Sequence, residues 1–405
     1  MRRYADTTRL SSMVKRGEPV EHQLDAVATI VAKFHHNAER SPTIDECGSP
    51  ESVWTLWDDN LTELQHYPHV EAELVAEIRR LAEQFVSGRA ELFAARIAEG
   101  RVVDGHADLL ADDIFCPRDG PPAILDCLEF DDRLRHVDGI DDAAFLAMDL
   151  EFIGRPDLGA RFLDMYRRHA EDRAPQTLVD FYIAYRAVVR AKVDCIKVSQ
   201  GHPDAAAAAR RHIDIAHRHL KDGTVLLIIV GGGPGTGKTT ISNALARQLE
   251  AVVISTDDVR RELQKTGAIG GEPGTLNSGL YAPENVAAVY DEVLRRAHTA
   301  LAGGRSVILD GTWRDARQRD RAHTLAADTA TPTVEFTCSL PLANASARIE
   351  TRSTTASDAT PEIAAALAEQ RRSGDSNYEN SYEIDTSKPL ADSVAEAQRI
   401  CCLAI

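Results

Sequence analysis

Gly232-Gly233-Pro234-Gly235-Thr236-Gly237-Lys238-Thr239 is the stretch on which the reading of this chain turns. It follows the apolar run Val225-Leu226-Leu227-Ile228-Ile229-Val230 and leads into a helix-like segment, so strand, glycine-rich loop and helix stand in the order that a phosphate-binding loop requires. The glycines let the backbone curl until successive N–H groups converge on phosphate oxygens, and the helix that starts near Lys238 adds the positive end of its dipole. Lys238 is then placed to reach the β and γ phosphates, Thr239 to offer its hydroxyl to Mg2+, and Thr240 to begin the helix proper. The expected cofactors are ATP, with GTP as the alternative, and Mg2+.

Working outward, residues 223–405 alternate strand and helix patterns, whereas residues 1–222 are predominantly helical, with the change at Lys221-Asp222-Gly223. Strands are predicted at 225–230, 252–255, 307–309, 334–338 and, weakly, 382–385. Helices are predicted at 238–250, 283–302, 342–352 and 361–372. Such alternation implies an α/β fold, a parallel sheet flanked by helices, with ligands bound beyond the carboxyl ends of the strands.

Charged residues follow each strand. After the second stands Ser255-Thr256-Asp257-Asp258-Val259-Arg260-Arg261. A carboxylate here can take the proton of an accepting hydroxyl, with Asp257 favoured over Asp258, and Arg260 can hold the substrate or the transferring group. Thr256 and Asp257 also suit the N-terminal cap of a helix beginning at Val259, and both uses are compatible. After the third strand, in Leu309-Asp310-Gly311-Thr312-Trp313-Arg314, Asp310 is positioned to organise Mg2+. Of Arg314, Arg317, Arg319 and Arg321, one or two are expected to face the site. Arg348 and Arg352 share a helical face ahead of a polar stretch, the pattern of a closing lid that brings guanidinium groups to the phosphoryl group, or of a surface pair salt-bridged to Glu350.

In that order the motifs of residues 223–405 resemble the small P-loop kinases of the gluconate-kinase, zeta-toxin and polynucleotide 5′-kinase type, often labelled AAA-family ATPases. The resemblance implies that Asp257 is the base toward the accepting hydroxyl and that Arg260 contacts substrate; it does not carry over the acceptor, since these kinases differ most in the segment that here runs from Thr266 to Tyr281.

In the first half, Val103-Asp104-Gly105-His106-Ala107-Asp108-Leu109-Leu110-Ala111-Asp112-Asp113-Ile114 and the later Ile124-Leu125-Asp126-Cys127-Leu128-Glu129-Phe130 are similar to the catalytic and metal loops of aminoglycoside phosphotransferase-like kinases. The resemblance places His106 in the catalytic loop and makes Asp108 the catalytic aspartate and Asp126 the Mg2+ ligand. Ala107 replaces the usual Gly, Leu110 the usual His, and Asp113 the metal-binding Asn. Residues 1–105 lack the β-rich N-lobe pattern, and Met1-Arg2-Arg3-Tyr4 looks like the strand joining the two lobes. The implied architecture is a mainly α, protein-kinase-like C-lobe without its N-lobe, fused to a P-loop kinase; either the true start lies upstream, or the first half is a degenerate domain with a vestigial site and a regulatory or substrate-holding role. The acidic cluster Asp126, Glu129, Asp131, Asp132, Asp138, Asp141 and Asp142 suits a solvated surface, or else Mg2+ or a cationic aminosugar.

Leu24, Val27, Val31 and Phe34, and Leu74, Ile78, Leu81 and Phe85, recur at helical spacing as core stripes. Trp54 and Trp57 read as a packing cluster, and Ala205 opens a last helix before the second half. Seven scattered cysteines without metal spacing read as reduced thiols. A net charge of −17 argues against a nucleic-acid partner and for a small-molecule substrate. With 43% hydrophobic and 27% charged residues, no signal peptide and no membrane-length apolar run, a cytoplasmic protein of two domains is expected. The function implied is an ATP-dependent kinase acting on a hydroxyl of a sugar, aminosugar or similar molecule. A nucleotide or nucleic-acid 5′-hydroxyl kinase and a non-catalytic ATP-binding regulator are the alternatives.

Overall fold

The computed structural model describes residues 4–272, 278–350 and 380–405, and the chain divides into two compact units, Met1–Thr224 and Val225–Ile405.

The first unit is mainly helical. Its elements are α1 (Leu10–Lys15), α2 (Glu21–Asn37), α3 (Pro42–Cys47), α4 (Pro50–Leu64), α5 (Ala72–Gly88), α6 (Ala90–Ala98), β1 (Val102–Asp104), β2 (Ile114–Phe115), β3 (Ala123–Ile124), β4 (His136–Asp138), α7 (Gly139–Phe152), α8 (Pro156–His169), α9 (Gln176–Ser199) and α10 (Ala205–Asp222). The four short strands form two antiparallel pairs, β1 with β4 and β2 with β3. Ser41 and Ser49 cap α3 and α4 by accepting from the N–H groups of Ile44 and Ser52, each followed by proline at the first helical position. Trp57 is fully buried and packs on Phe181 and Tyr185, the packing role its sequence setting suggested.

Two expectations for the α2 and α5 stripes need correction. Phe34 is exposed and His35 takes the inward position, because the stripe steps by four residues after Val31 and His35 finds polar partners inside. In α5 Val75 is buried in preference to Leu74. The acidic cluster is not uniformly solvated either. Asp138, Asp141 and Asp142 are buried, and Asp138 and Asp141 pair with Arg96 and Arg186 at 2.6 and 2.7 Å.

The second unit is built on a five-stranded, fully parallel sheet in the order β6-β7-β5-β8-β9. Its elements are β5 (Leu227–Gly231), α11 (Lys238–Leu249), β6 (Val252–Ser255), α12 (Thr256–Lys265), α13 (Pro283–Ala302), β7 (Val307–Asp310), α14 (Ala316–Asp328), β8 (Thr333–Ser339), α15 (Leu342–Glu350), β9 (Ser381–Asp385) and a C-terminal helix, Leu390–Leu403. The predicted helix at 361–372 lies outside the described residues.

Successive residues of the central strand serve opposite faces. Leu227 and Ile229 pack with Val289, Val293 and Ala297 of α13, whereas Ile228 and Val230 pack with Ile241 and Leu245 of α11 and Val394 and Ile400 of the C-terminal helix. Both faces are covered, which is why β5 reads as an unbroken apolar run and not as an alternation. The ladder begins at Leu227, later than Val225, because Leu226 N–H donates to the Ser306 hydroxyl before regular pairing starts. Since β7 and β8 flank β5 on opposite sides, the chain leaves β5 at a crevice beyond the strand ends.

Candidate functional site

The loop from Gly232 to Gly237 lies in that crevice, between β5 and the first turn of α11. Gly235 has φ +77°, and a Cβ there would meet the Ala345 carbonyl oxygen at 2.6 Å, so the bend and the approach of α15 both demand glycine. Gly232 has φ +139° and would meet the Cys338 carbonyl oxygen at 2.7 Å. Gly233 and Pro234 form the half-buried crest of the loop. Thr236 braces it from within, its hydroxyl donating to the Gly233 carbonyl at 2.8 Å and its own carbonyl accepting from the Thr386 hydroxyl at 2.7 Å. Gly237 precedes the helix without any side-chain cap, which leaves the first N–H groups of α11 directed into the loop.

Lys238 arches back over the loop, with Nζ donating to the Gly233 carbonyl at 2.9 Å. Thr239 Oγ1 donates to Asp310 Oδ2 at 2.7 Å. The other carboxylate oxygen, Asp310 Oδ1, is buried with no hydrogen-bond partner among the described residues. Burial raises the Asp310 pKa above its ordinary value; the Thr239 bond and Lys238 oppose that shift, while Asp257 and Asp258 reinforce it. An orphaned carboxylate oxygen beside a hydroxyl is a donor set that fits Mg2+, which takes one or two protein oxygens and completes its shell with water and phosphate. No group of three or more His, Cys, Asp or Glu suited to a metal occurs among the described residues.

β6 pairs with β7 in a register that sets Ser255 opposite Asp310. α12 starts at Thr256, so Thr256 and Asp257 lie in its first turn and not outside it as caps, a correction that puts the acidic pair at the positive end of the helix. Asp257 Oδ1 accepts from Arg260 Nη1 at 2.7 Å, and the Arg260 guanidinium carbon stands 4.6 Å from the centre of the Tyr281 ring. Asp258 instead pairs with Arg261 on the exposed side of the helix. Among the following arginines, Arg317 and Arg321 pair at the surface with Asp315 and Asp291, while Arg319 Nη1 donates to the carbonyls of Trp313 and Arg314.

Arg348 is held against the residues that follow β9. Its Nη2 donates to the Thr386 carbonyl at 2.9 Å, and Nη1 would lie 3.4 Å from a Cβ on Gly237. There it lines a cavity of about 320 Å3 with Gly235, Gly237, Thr240, Ile241, Thr386, Lys388, Leu390 and Ser393. Arg352 and residues 273–277 of the acceptor segment lie outside the described residues. Sequence reasoning missed Thr386, Lys388, Leu390 and Ser393; the signal was their position just beyond the fifth strand, where an α/β sheet puts ligands.

In the first unit, Ala107 and Asp126 adopt φ of +65° and +63°. Asp142 accepts from the N–H groups of His106 and Ala107 at 2.7 and 2.9 Å, and His35 Nε2 lies 2.9 Å from the same carboxylate. Burial alone would raise the Asp142 pKa, but the His35 bond and the backbone N–H hold it well below the usual carboxylate range. Asp108 and Asp113 are both raised by burial, Asp108 despite the opposing charge of Arg190 and Asp113 with a further contribution from Asp126. Met1–Arg3 lie outside the described residues, and Tyr4 stacks on Phe115 without joining a strand. Among the described residues no helix is long and apolar enough to cross a membrane.

The sheet order, the loop and the Thr239–Asp310 pair define a parallel α/β domain with a phosphate-binding type of loop in the second unit, and an AAA domain model matches residues 227–375. Over 402 residues the chain is 54% identical to the uncharacterized proteins Rv2004c of Mycobacterium tuberculosis (strain H37Rv) and Mb2027c of Mycobacterium bovis, matches that span 99% of this chain and 80% of each relative. The chain belongs to the family that contains these mycobacterial proteins. Among solved structures it is similar to a gluconokinase from Sinorhizobium meliloti 1021, with 19% identity and a TM-score of 0.32 over 44% of this chain and 93% of that one. It is likewise similar to the Mycobacterium tuberculosis APS kinase in complex with AMPPNP and APS, with 17% identity and a TM-score of 0.33 over 44% and 97%.

Proposed function

We propose that this protein is an ATP-dependent kinase that transfers the γ-phosphoryl group to a hydroxyl of a small molecule, with the chemistry in the second unit. The observation that carries the reading is the register of β6 against β7. It sets the Asp257–Arg260 pair beside the Thr239–Asp310 pair at the ends of adjacent strands. A phosphate-holding half-site and a hydroxyl-activating half-site thus share one crevice, which is the positioning that phosphoryl transfer requires.

In this reading the loop N–H groups and Lys238 hold the phosphates, and Thr239 and Asp310 would hold Mg2+. That ion, when bound, neutralises charge on the phosphates. Asp257 accepts the proton of the acceptor hydroxyl while its oxygen bonds to the γ phosphorus and the bond to the β–γ bridging oxygen breaks, leaving ADP. Arg260, stacked on Tyr281 and held by Asp257, orients the acceptor. The cavity between Arg348, Ile241 and Leu390 has the size and the mixture of aliphatic and guanidinium walls that suit a purine base, so Arg348 acts on the nucleotide and not as a mobile finger.

The first unit we read as a kinase C-lobe-like domain, with Asp108, Asp113 and Asp126 its vestigial site. Support comes from the left-handed Ala107 and Asp126, and from the anchoring of the His106–Ala107 backbone on Asp142. Among the described residues no strand precedes β1 (Val102–Asp104), in keeping with a lobe that lacks its β-rich partner.

A screen of labelled ATP against sugars, aminosugars and nucleosides tests the proposal. Label on a sugar or aminosugar hydroxyl supports it. Label on the 5′-hydroxyl of a nucleoside or oligonucleotide replaces the acceptor class, and hydrolysis with no labelled product makes the protein a nucleotide-driven switch.

A further inference from the structure

Trp313 is buried, at 3% exposure, yet its backbone has φ +46°, a region that a bulky side chain avoids and glycine enters freely. Strain of this kind persists only where the surroundings over-determine it. Here they do so at three points. The indole Nε1–H donates to the Leu309 carbonyl at 3.1 Å, and the ring meets Tyr290 edge-on at 5.0 Å between centres. The Trp313 carbonyl accepts from Arg319 Nη1 at 2.6 Å.

The consequence lies one residue earlier. With Trp313 in the left-handed region, the Thr312 carbonyl is turned toward the phosphate loop, where it accepts from Gly232 N–H at 3.4 Å and would lie 3.4 Å from a Cβ on Gly231. On its other side the turn packs against α12: a Cβ on Gly311 would meet Thr256 at 2.8 Å and the Trp313 Nε1 at 3.1 Å. The same strained turn therefore touches the phosphate loop and the helix that carries Asp257.

We propose that Trp313 is a positioning residue whose anchored, left-handed backbone holds the phosphate loop in its nucleotide-binding shape through the Thr312 carbonyl. The inference rests on the nucleotide-binding half of the function proposed above and not on the acceptor. The indole keeps the turn from relaxing, and the backbone conformation, not contact between the indole and a ligand, is what the loop uses.

Replacement by alanine and by glycine separates this role from simple packing. Alanine removes the anchor and disfavours the left-handed turn, whereas glycine removes still more side chain but accepts that turn without strain. Calorimetry of the full-length protein with Mg-AMPPNP needs neither turnover nor acceptor, so it still reads out if the kinase assignment fails. Trp313→Ala is expected to weaken AMPPNP binding by about tenfold and Trp313→Gly by no more than about threefold, although the glycine variant melts lower. Trp313→Asn, which tolerates the left-handed region, is expected to follow glycine. Glycine binding no better than alanine, with asparagine no better than either, overturns the proposal and leaves Trp313 a packing residue. Loss of AMPPNP binding in Lys238→Ala with wild-type Trp313 checks separately that the loop is the nucleotide site.

Discussion

Thr239 Oγ1 donates to Asp310 Oδ2 at 2.7 Å, a bond that ties the first turn after the phosphate loop to the end of the neighbouring strand. It satisfies one carboxylate oxygen and leaves the other buried without a partner among the described residues. The free protein thus carries a carboxyl group whose charged form its own surroundings disfavour, placed to take a cation.

That arrangement fixes the sign of a stability effect. Because burial raises the native-state pKa of Asp310, protonation favours the native state, and its contribution to stability is full at low pH and lost as pH rises through the native pKa. Asp310→Asn is therefore expected to melt higher than wild type near neutral pH without metal, with the gap closing on acidification, while ATP turnover collapses. Melting curves across pH check the first part; an Asn variant that melts lower at neutral pH would show that the Asp310 carboxylate does not destabilise the protein in this site.

Asp257→Asn keeps the shape of the side chain facing Arg260 but cannot accept a proton. Phosphoryl transfer is expected to fall about 100-fold or more with AMPPNP affinity little changed, and Asp258→Asn, whose carboxylate pairs outward with Arg261, is expected to stay near wild type. A transfer defect confined to the Asp258 variant would reverse the assignment of the pair.

How much of this was legible in the sequence follows from which interactions are local. The loop, its strand and its helix are contiguous, and the residues after β6 and β7 sit at strand ends, so Lys238, Thr239, Asp257 and Asp310 could be picked out by position alone. Arg348 could not be placed, because its partner is the Thr386 carbonyl, 38 residues away across the sheet. Trp313 gave no signal, since a left-handed φ at a tryptophan is enforced by Tyr290, Leu309 and Arg319 and not by its own preference. Asp142 was lost in an apparent acidic patch for the same reason: α7 turns it inward onto His35, from another helix. Phe34 and His35 show the converse, an apolar residue outside and a polar one inside, decided by distant partners.

Arg348→Ala is expected to weaken AMPPNP binding about fivefold to tenfold, through loss of a guanidinium wall of the base cavity, and to leave the affinity for inorganic triphosphate unchanged. If triphosphate binding falls equally, Arg348 acts on the phosphates and the lid reading returns.

In the first unit Asp142 is fully buried and bonded to His35 and to two backbone N–H groups. Asp142→Ala leaves those donors without an acceptor and is expected to cost about 3 kcal/mol or more at neutral pH, seen as faster hydrogen exchange in α7 and around His106. Its depressed pKa means that the wild-type carboxylate stabilises above the unfolded-state pKa, near 4, and that this contribution is lost as pH falls toward the native value. The difference between wild type and variant should therefore narrow below about pH 4. A constant difference from pH 7 to pH 3 would mean that packing, not charge, makes Asp142 matter.

Lys238→Ala in the full-length protein serves both units at once. In the second it removes the cation that would neutralise the β and γ phosphates. Since phosphoryl transfer depends on positioning and charge more than on covalent chemistry, ATP turnover is expected to drop by at least about 100-fold. Activity within about twofold of wild type would end the phosphate-loop assignment. With that site disabled, any remaining saturable Mg-ATP binding must arise elsewhere, and the candidate is the Asp108, Asp113 and Asp126 group. Among the described residues these carboxylates have no β-rich lobe and no glycine-rich strand turn to cover a nucleotide. Calorimetry on Lys238→Ala is accordingly expected to show no micromolar Mg-ATP binding. Should such binding persist and disappear on adding Asp126→Ala, the first unit holds a working nucleotide site of its own, and the left-handed Ala107 and Asp126 are functional geometry and not an inheritance.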